Sequence, residues 1–220
     1  MPPGRTIKAT IVRIKAGDAV IDGDLKVPHR ATGLVVFPHG SGSSRFSPRN
    51  RSMAHVFEHG GFATLLLDLL TRDEEVVDAR TGAYQLDLER LTHRVIAALD
   101  WLAGHPDVSR LPVACCGAST GAAAALIAAA LRPALVRAVI SRGGRPDLAG
   151  DALARVQAPT LLIVGGNDRT AIELNRAATR HMRGAVQIDI VPGATNLFEE
   201  SGALERVSQL ALKWCWRHLR

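Results

Sequence analysis

Gly117-Ala118-Ser119-Thr120-Gly121 is the segment of this chain best suited to chemistry. It follows an apolar run, PVACCG (112–117), and leads into the alanine-rich AAAALIAAAL. A G-x-S-x-G between a strand and a helix sets its serine on a sharp, strained turn with the hydroxyl clear of the sheet. Amides at the start of the following helix, that of Thr120 first, then face the place where an oxyanion would form. The plainer reading of these five residues is a loop that turns tightly for packing, and it is the flanking elements that favour a nucleophile.

Two further segments stand where such chemistry would need them. The run GLVVFPH (33–39) ends in His39-Gly40-Ser41-Gly42-Ser43-Ser44, a turn able to supply a second oxyanion amide, that of Ser41, or else simply a flexible loop. The run TLLIVG (160–165) leads through Gly166-Asn167 to Asp168, a carboxylate just past a strand's C-terminal end, where catalytic groups of open α/β sheets gather. Taken alone, Asp168 reads equally as a turn or helix-capping residue.

The elements that must hold these groups follow from hydrophobic patterning. Ile7–Ile14 and Ala19–Val27 partly alternate and read as an antiparallel pair joined at Ala16-Gly17-Asp18. Continuous apolar runs then recur at 33–39, 64–69, 112–117, 138–141, 160–165 and 186–191, as expected of strands covered on both faces. Leu88, Leu91, Val95, Ala98 and Leu102 line one side of a helix, as do Val207, Leu210, Ala211 and Trp214. The alternation predicts a single α/β domain over 1–220, with a mostly parallel sheet between helices. Only a short segment separates the runs at 138–141 and 160–165, so no large lid is expected there.

Composition narrows the function. The net charge of +6 arises from 23 arginines and four lysines against 21 acidic residues, scattered without a basic run, which argues against nucleic-acid binding. Cys115, Cys116 and Cys215 lack metal-ligand spacing and read as buried thiols of a cytoplasmic protein. The first residues lack the apolar core of a secretory signal. Residues 113–131 carry no charge, yet glycines and serine interrupt them, so strand, turn and buried helix are expected rather than a membrane span. No cofactor or metal is expected; His55 and His59, four apart, could pair around a metal but have no evident third ligand.

Together these segments resemble the α/β-hydrolase superfamily, in particular its small, lidless dienelactone-hydrolase-like branch. The resemblance spans nearly the whole chain through HGSGSS (39–44), SPRNR (47–51), GASTG (117–121), SRGGRPDLAG (141–150), LLIVGGND (161–168) and VPGAT-x-LFEE (191–200). It implies the α/β-hydrolase fold and a Ser…Asp…His triad in chain order. Ser119 and Asp168 match the first two members, and the histidine position falls on Asn196. An amide cannot accept the serine proton at useful pH. His39 is the one histidine whose motif brings it near Ser119, and in this family it usually supports the loop.

The expected function is therefore a serine hydrolase for a small ester or related acyl substrate, impaired or trapped by Asn196. A ligand-binding descendant that no longer catalyses is the alternative. Arg45, Arg142 and Arg145 fall on loops that should rim the pocket and suit an anionic substrate, or else pair with Asp147 and Glu200. A dinucleotide-binding domain is the more distant rival: Gly40-Ser41-Gly42 follows a strand and Asp68 ends the next. Its third glycine position, however, is Arg45, and Pro48 intervenes before the helix.

Overall fold

The computed structural model of the chain describes residues 9–40 and 42–219. Strands β1 (Thr10–Ala16) and β2 (Ala19–Lys26) form an antiparallel hairpin whose turn contains Gly17 at φ 66°. Their alternating burial fits a pair covered on one face. The expected first strand began at Ile7; residues 7 and 8 lie outside the described residues.

Six further strands follow: β3 (Leu34–Phe37), β4 (Ala63–Leu67), β5 (Val113–Ser119), β6 (Val136–Gly144), β7 (Thr160–Gly165) and β8 (Val186–Val191). The sheet order is β1-β2-β4-β3-β5-β6-β7-β8, parallel from β4 to β8, with β2 antiparallel to β4. Every residue of β3, β4 and β7 is buried, as their predominantly apolar sequences require. Strand β6 is longer than the apolar run at 138–141, because Arg142, Gly143 and Gly144 continue beside β5 to Ser119. Polar residues at a strand's end carry no periodic signal, and pairing with β5 extends it.

Helices α3 (Leu88–Gly104), α4 (Thr120–Leu131) and α5 (Arg169–Thr179) contribute to one core layer with a 3-10 segment, Pro146–Arg155. Helices α1 (Pro48–His59) and α6 (Ala203–His218) close the other. Helix α4 is buried on nearly every side, which explains its charge-free alanine-rich sequence. Among the described residues, no helix is long and apolar enough to cross a membrane. Helix α2 (Arg72–Thr81) has only Asp78 buried, so its sequence shows no apolar stripe by which to recognise it. The short connection between β6 and β7 holds the 3-10 segment alone.

Candidate active site

Strand β5 ends at Ser119 and α4 begins at Thr120, with no residue between them. The chain makes this corner by placing Ser119 at φ 50°, ψ −127°, a conformation that side chains rarely adopt. Close approach then fixes the neighbouring residue types. A Cβ on Gly40 would lie 2.6 Å from Ser119 Cβ, and one on Gly121 would overlap the His39 carbonyl oxygen. The β3 loop and the β5–α4 corner are therefore in direct van der Waals contact. Ala118 N–H also donates to the Pro38 carbonyl at 3.2 Å.

Ser119 caps α4 without a side-chain hydrogen bond, so its hydroxyl does not serve the helix. Thr120 is buried at the helix N-terminus, where backbone N–H groups lack intrahelical partners. Ser41, the second expected oxyanion residue, lies outside the described residues.

Asp168 follows β7 by three residues and caps α5, its Oδ1 accepting from Ala171 N–H at 2.9 Å. Its Oδ2 accepts from Asn196 Nδ2 at 2.7 Å. The other end of that amide, Asn196 Oδ1, accepts from Gly165 N–H at 2.8 Å, at the tip of β7. The β8–α6 loop thus brings position 196 onto Asp168, 28 residues apart in sequence. Gly143, on β6, packs against the Asn196 carbonyl at a place where a side chain would overlap it. Because β6 pairs with β5 through Gly144 and Ser119, position 196 and the corner share one end of the sheet.

His39 cannot stand in as the base. Its Nε2 accepts from Leu69 N–H at 2.9 Å, which forces the ring proton onto Nδ1, and that nitrogen donates to the Gly40 carbonyl at 2.8 Å. Burial pushes its pKa down, so the ring is neutral and its lone pair is occupied. His55 and His59 stack on α1, where His59 Nδ1 bonds the His55 carbonyl. Among the described residues there is no cluster of three metal-binding side chains. The thiols of Cys115 and Cys116 are pushed up to about 12 by burial, which removes them as nucleophiles.

The three arginines diverge. Arg145 makes a forked ion pair with Asp147. Arg45 turns away toward Asp22, Asp24 and Asp68. Arg142, on β6 beside Ala118, is 6 % exposed and donates to Asn50 Oδ1 at 2.8 Å, without a carboxylate partner among the described residues. Burial draws its pKa down, partly offset by Cys116. Asn50, buried on α1, is the partner of Arg142 that sequence reading missed; its place inside SPRNR gave no sign that it would meet β6. Asp68, the supposed ribose-binding acid of the dinucleotide reading, is taken up by Arg45.

A mostly parallel sheet in this strand order, with a strained serine at the β5–α4 corner, defines an α/β-hydrolase. A model of the dienelactone hydrolase family matches residues 19–217, and the chain belongs to that family. A dienelactone hydrolase from Anabaena variabilis is 50% identical, with a TM-score of 0.96 over 98% of this chain and 100% of that one. A dienelactone-hydrolase-like promiscuous phosphotriesterase from metagenomic libraries shares the fold at 21% identity and a TM-score of 0.78, over 97% and 99% of the two chains. A longer protein of Mycobacterium tuberculosis, provisionally named a phosphoribosyl transferase, is 55% identical over 208 residues, 94% of this chain and 46% of that protein. The chain thus spans about half the length of the curated relatives it matches.

Proposed function

We propose that this chain is a serine hydrolase acting on a small ester or related acyl substrate, with Ser119 as nucleophile and Asn196 making turnover slow. The observation that carries this reading is the backbone of Ser119. A serine held at φ 50°, ψ −127° costs the fold about 1–3 kcal/mol, which a packing turn would avoid by using glycine.

In the proposed reaction Ser119 Oγ adds to the substrate carbonyl, whose oxygen becomes an oxyanion facing the amide of Thr120, with Ser41 the second donor expected from the sequence. Collapse re-forms the carbonyl and breaks the bond to the leaving oxygen. Histidine would take the serine proton and deliver it to that oxygen. Asn196 can do neither, so the serine proton passes to water and the leaving group departs as its anion. Activated esters with acidic alcohols should therefore react and ordinary alkyl esters should not. Water must then attack the acyl-enzyme, also without a base, so the acyl group should persist on Ser119.

The substrate is further proposed to be anionic. Arg142 supports this as a buried guanidinium without a carboxylate partner among the described residues, whereas Arg45 and Arg145 are taken up by aspartates. The short β6–β7 connection, which holds the 3-10 segment alone, suits a small acyl group. Three buried thiols fit a reducing, cytoplasmic setting. The transferase name belongs to proteins of about twice this length, and the hydrolase reading assigns none of that chemistry to the Ser119 pocket.

Incubation with p-nitrophenyl acetate tests the proposal. A burst of p-nitrophenol approaching one equivalent, with an acetyl group mapped to Ser119 by mass spectrometry and lost in Ser119→Ala, is the expected result. Equal release from the parent and Ser119→Ala would refute it. A second reading, a ligand-binding protein without turnover, is favoured by the way both ends of the Asn196 amide are satisfied by Asp168 and Gly165. Reaction of Ser119 with a fluorophosphonate would count against that second reading.

A further inference from the structure

Arg45 lies in the loop that joins β3 to α1, and the start of that loop, His39-Gly40, forms a wall against Ser119. Two consecutive residues just past β4 hold this loop. Leu69 N–H donates to His39 Nε2 on the near side. On the far side, Asp68 Oδ1 accepts the Arg45 backbone N–H at 2.7 Å, while Asp68 Oδ2 receives the Arg45 guanidinium. These neighbours therefore grip positions 39 and 45, bracketing the segment between them.

The far grip is not an ordinary surface ion pair. The Arg45 side chain is 13 % exposed, and those of Asp68 and Asp24 are 11 % and 13 %. Asp24 on β2 lies 3.4 Å from Arg45 Nε, and Asp22 lies 3.7 Å from its Nη1. Arg51, from α1, reaches Asp24 at 3.5 Å and donates through Nε to the Arg45 carbonyl at 3.3 Å. Both guanidinium groups cover the ring of Phe46, at 4.4 Å and 5.0 Å. Breaking a partly buried pair of this kind leaves an uncompensated charge, so the arrangement resists partial opening.

We propose that Asp68 and Arg45 are positioning residues for the oxyanion side of the Ser119 pocket. The Asp68 carboxylate anchors the far end of the β3–α1 loop, and together with the Leu69–His39 bond it sets how closely Gly40 approaches Ser119. This rests on the hydrolase reading above and assigns Arg45 a role different from contact with substrate. A wall in contact with the nucleophile acts through placement on the scale of tenths of an ångström, so a loosened loop should slow acylation without weakening substrate binding.

Asp68→Asn keeps an acceptor for the Arg45 amide and removes the charge, and Arg45→Lys keeps the charge and loses the fork. Two readouts are needed: hydrogen–deuterium exchange of peptides covering 38–47, and the acylation rate with p-nitrophenyl acetate at saturating concentration. Asp68→Asn should raise exchange in those peptides and lower the acylation rate by about tenfold or more with KM little changed, and Arg45→Lys should fall between it and the parent. Unchanged exchange in Asp68→Asn would overturn the clamp itself. Faster exchange with an unchanged acylation rate would overturn its role in positioning. If the parent does not acylate, the hydrolase reading fails, and exchange still decides whether the clamp exists.

Discussion

Asn196 Nδ2 sits 2.7 Å from Asp168 Oδ2, making the hydrogen bond to the acid that an imidazole Nδ1–H would make. On the proposed triad, what the amide would lack is the far nitrogen of such a ring. Imidazole spans from carboxylate to serine, whereas the shorter amide turns its oxygen to Gly165 N–H. In the proposed triad, position 196 would thus keep the contact that orients a base and lack the base.

Asn196→His should therefore raise hydrolysis of an activated ester by about a hundredfold or more, the usual contribution of general acid–base catalysis. Because histidine would also protonate the leaving oxygen, the rate should depend less steeply on leaving-group acidity in the variant than in the parent. Steady-state rates across a series of substituted phenyl acetates check both. Identical rates in two well-folded proteins would show that position 196 is not the site of the missing base.

The backbone of Ser119 predicts an opposition between stability and function. Ser119→Gly should stabilise the fold by about 1 kcal/mol by relieving the φ 50° conformation, while abolishing acylation. Ser119→Ala should abolish acylation without that gain, since alanine carries the same Cβ. Urea denaturation of the three proteins separates the outcomes, and equal midpoints for Gly and Ala would mean that the corner is unstrained.

These residues also show what the sequence could and could not disclose. The corner at Ser119 was legible because strand, turn and helix adjoin in the chain, and because α4 needs small apolar residues on every side. Asp168 was ambiguous in sequence for a physical reason: one oxygen caps α5, while the other is left to meet Asn196 across 28 positions. The fates of the arginines were hidden, since they depend on partners brought together by folding. Arg45 meets Asp68 across 23 positions, and Arg142 meets Asn50 across 92. Helix α2 was hidden because it buries almost nothing.

Arg142 carries the prediction on substrate charge. Its guanidinium is buried, and the contact among the described residues is the neutral oxygen of Asn50. An anion in the pocket would compensate a charge whose burial is otherwise costly. Arg142→Met should raise KM for carboxylate-bearing aryl esters by about tenfold relative to neutral ones, a loss of one charge-assisted hydrogen bond. Arg145→Met should alter this ratio much less, because Asp147 already holds that side chain. An unchanged ratio in Arg142→Met would remove the anionic-substrate proposal.

Glu74 gives a prediction on pH and stability. It accepts from Thr71 N–H in a capping box at the start of α2 and receives Arg94 and Arg90 from α3. Burial would push its carboxyl up, but the bonds from Arg94 and Thr71 outweigh this and hold it down at about 2. An unfolded glutamate titrates near 4.3, so the folded protein binds the proton less tightly than the unfolded chain does. The stabilisation is therefore fully present above about pH 5 and is lost as the pH falls from there toward 2. Glu74→Gln retains an acceptor for the cap and removes the charge. At pH 7 it should cost about 2 kcal/mol, less than the full pKa difference implies, because the groups are partly open to solvent. Urea denaturation of parent and variant at intervals from pH 7 to pH 3 should show the two stabilities converging as the pH falls. A difference independent of pH would mean that the carboxylate's charge contributes nothing to holding α2 against α3.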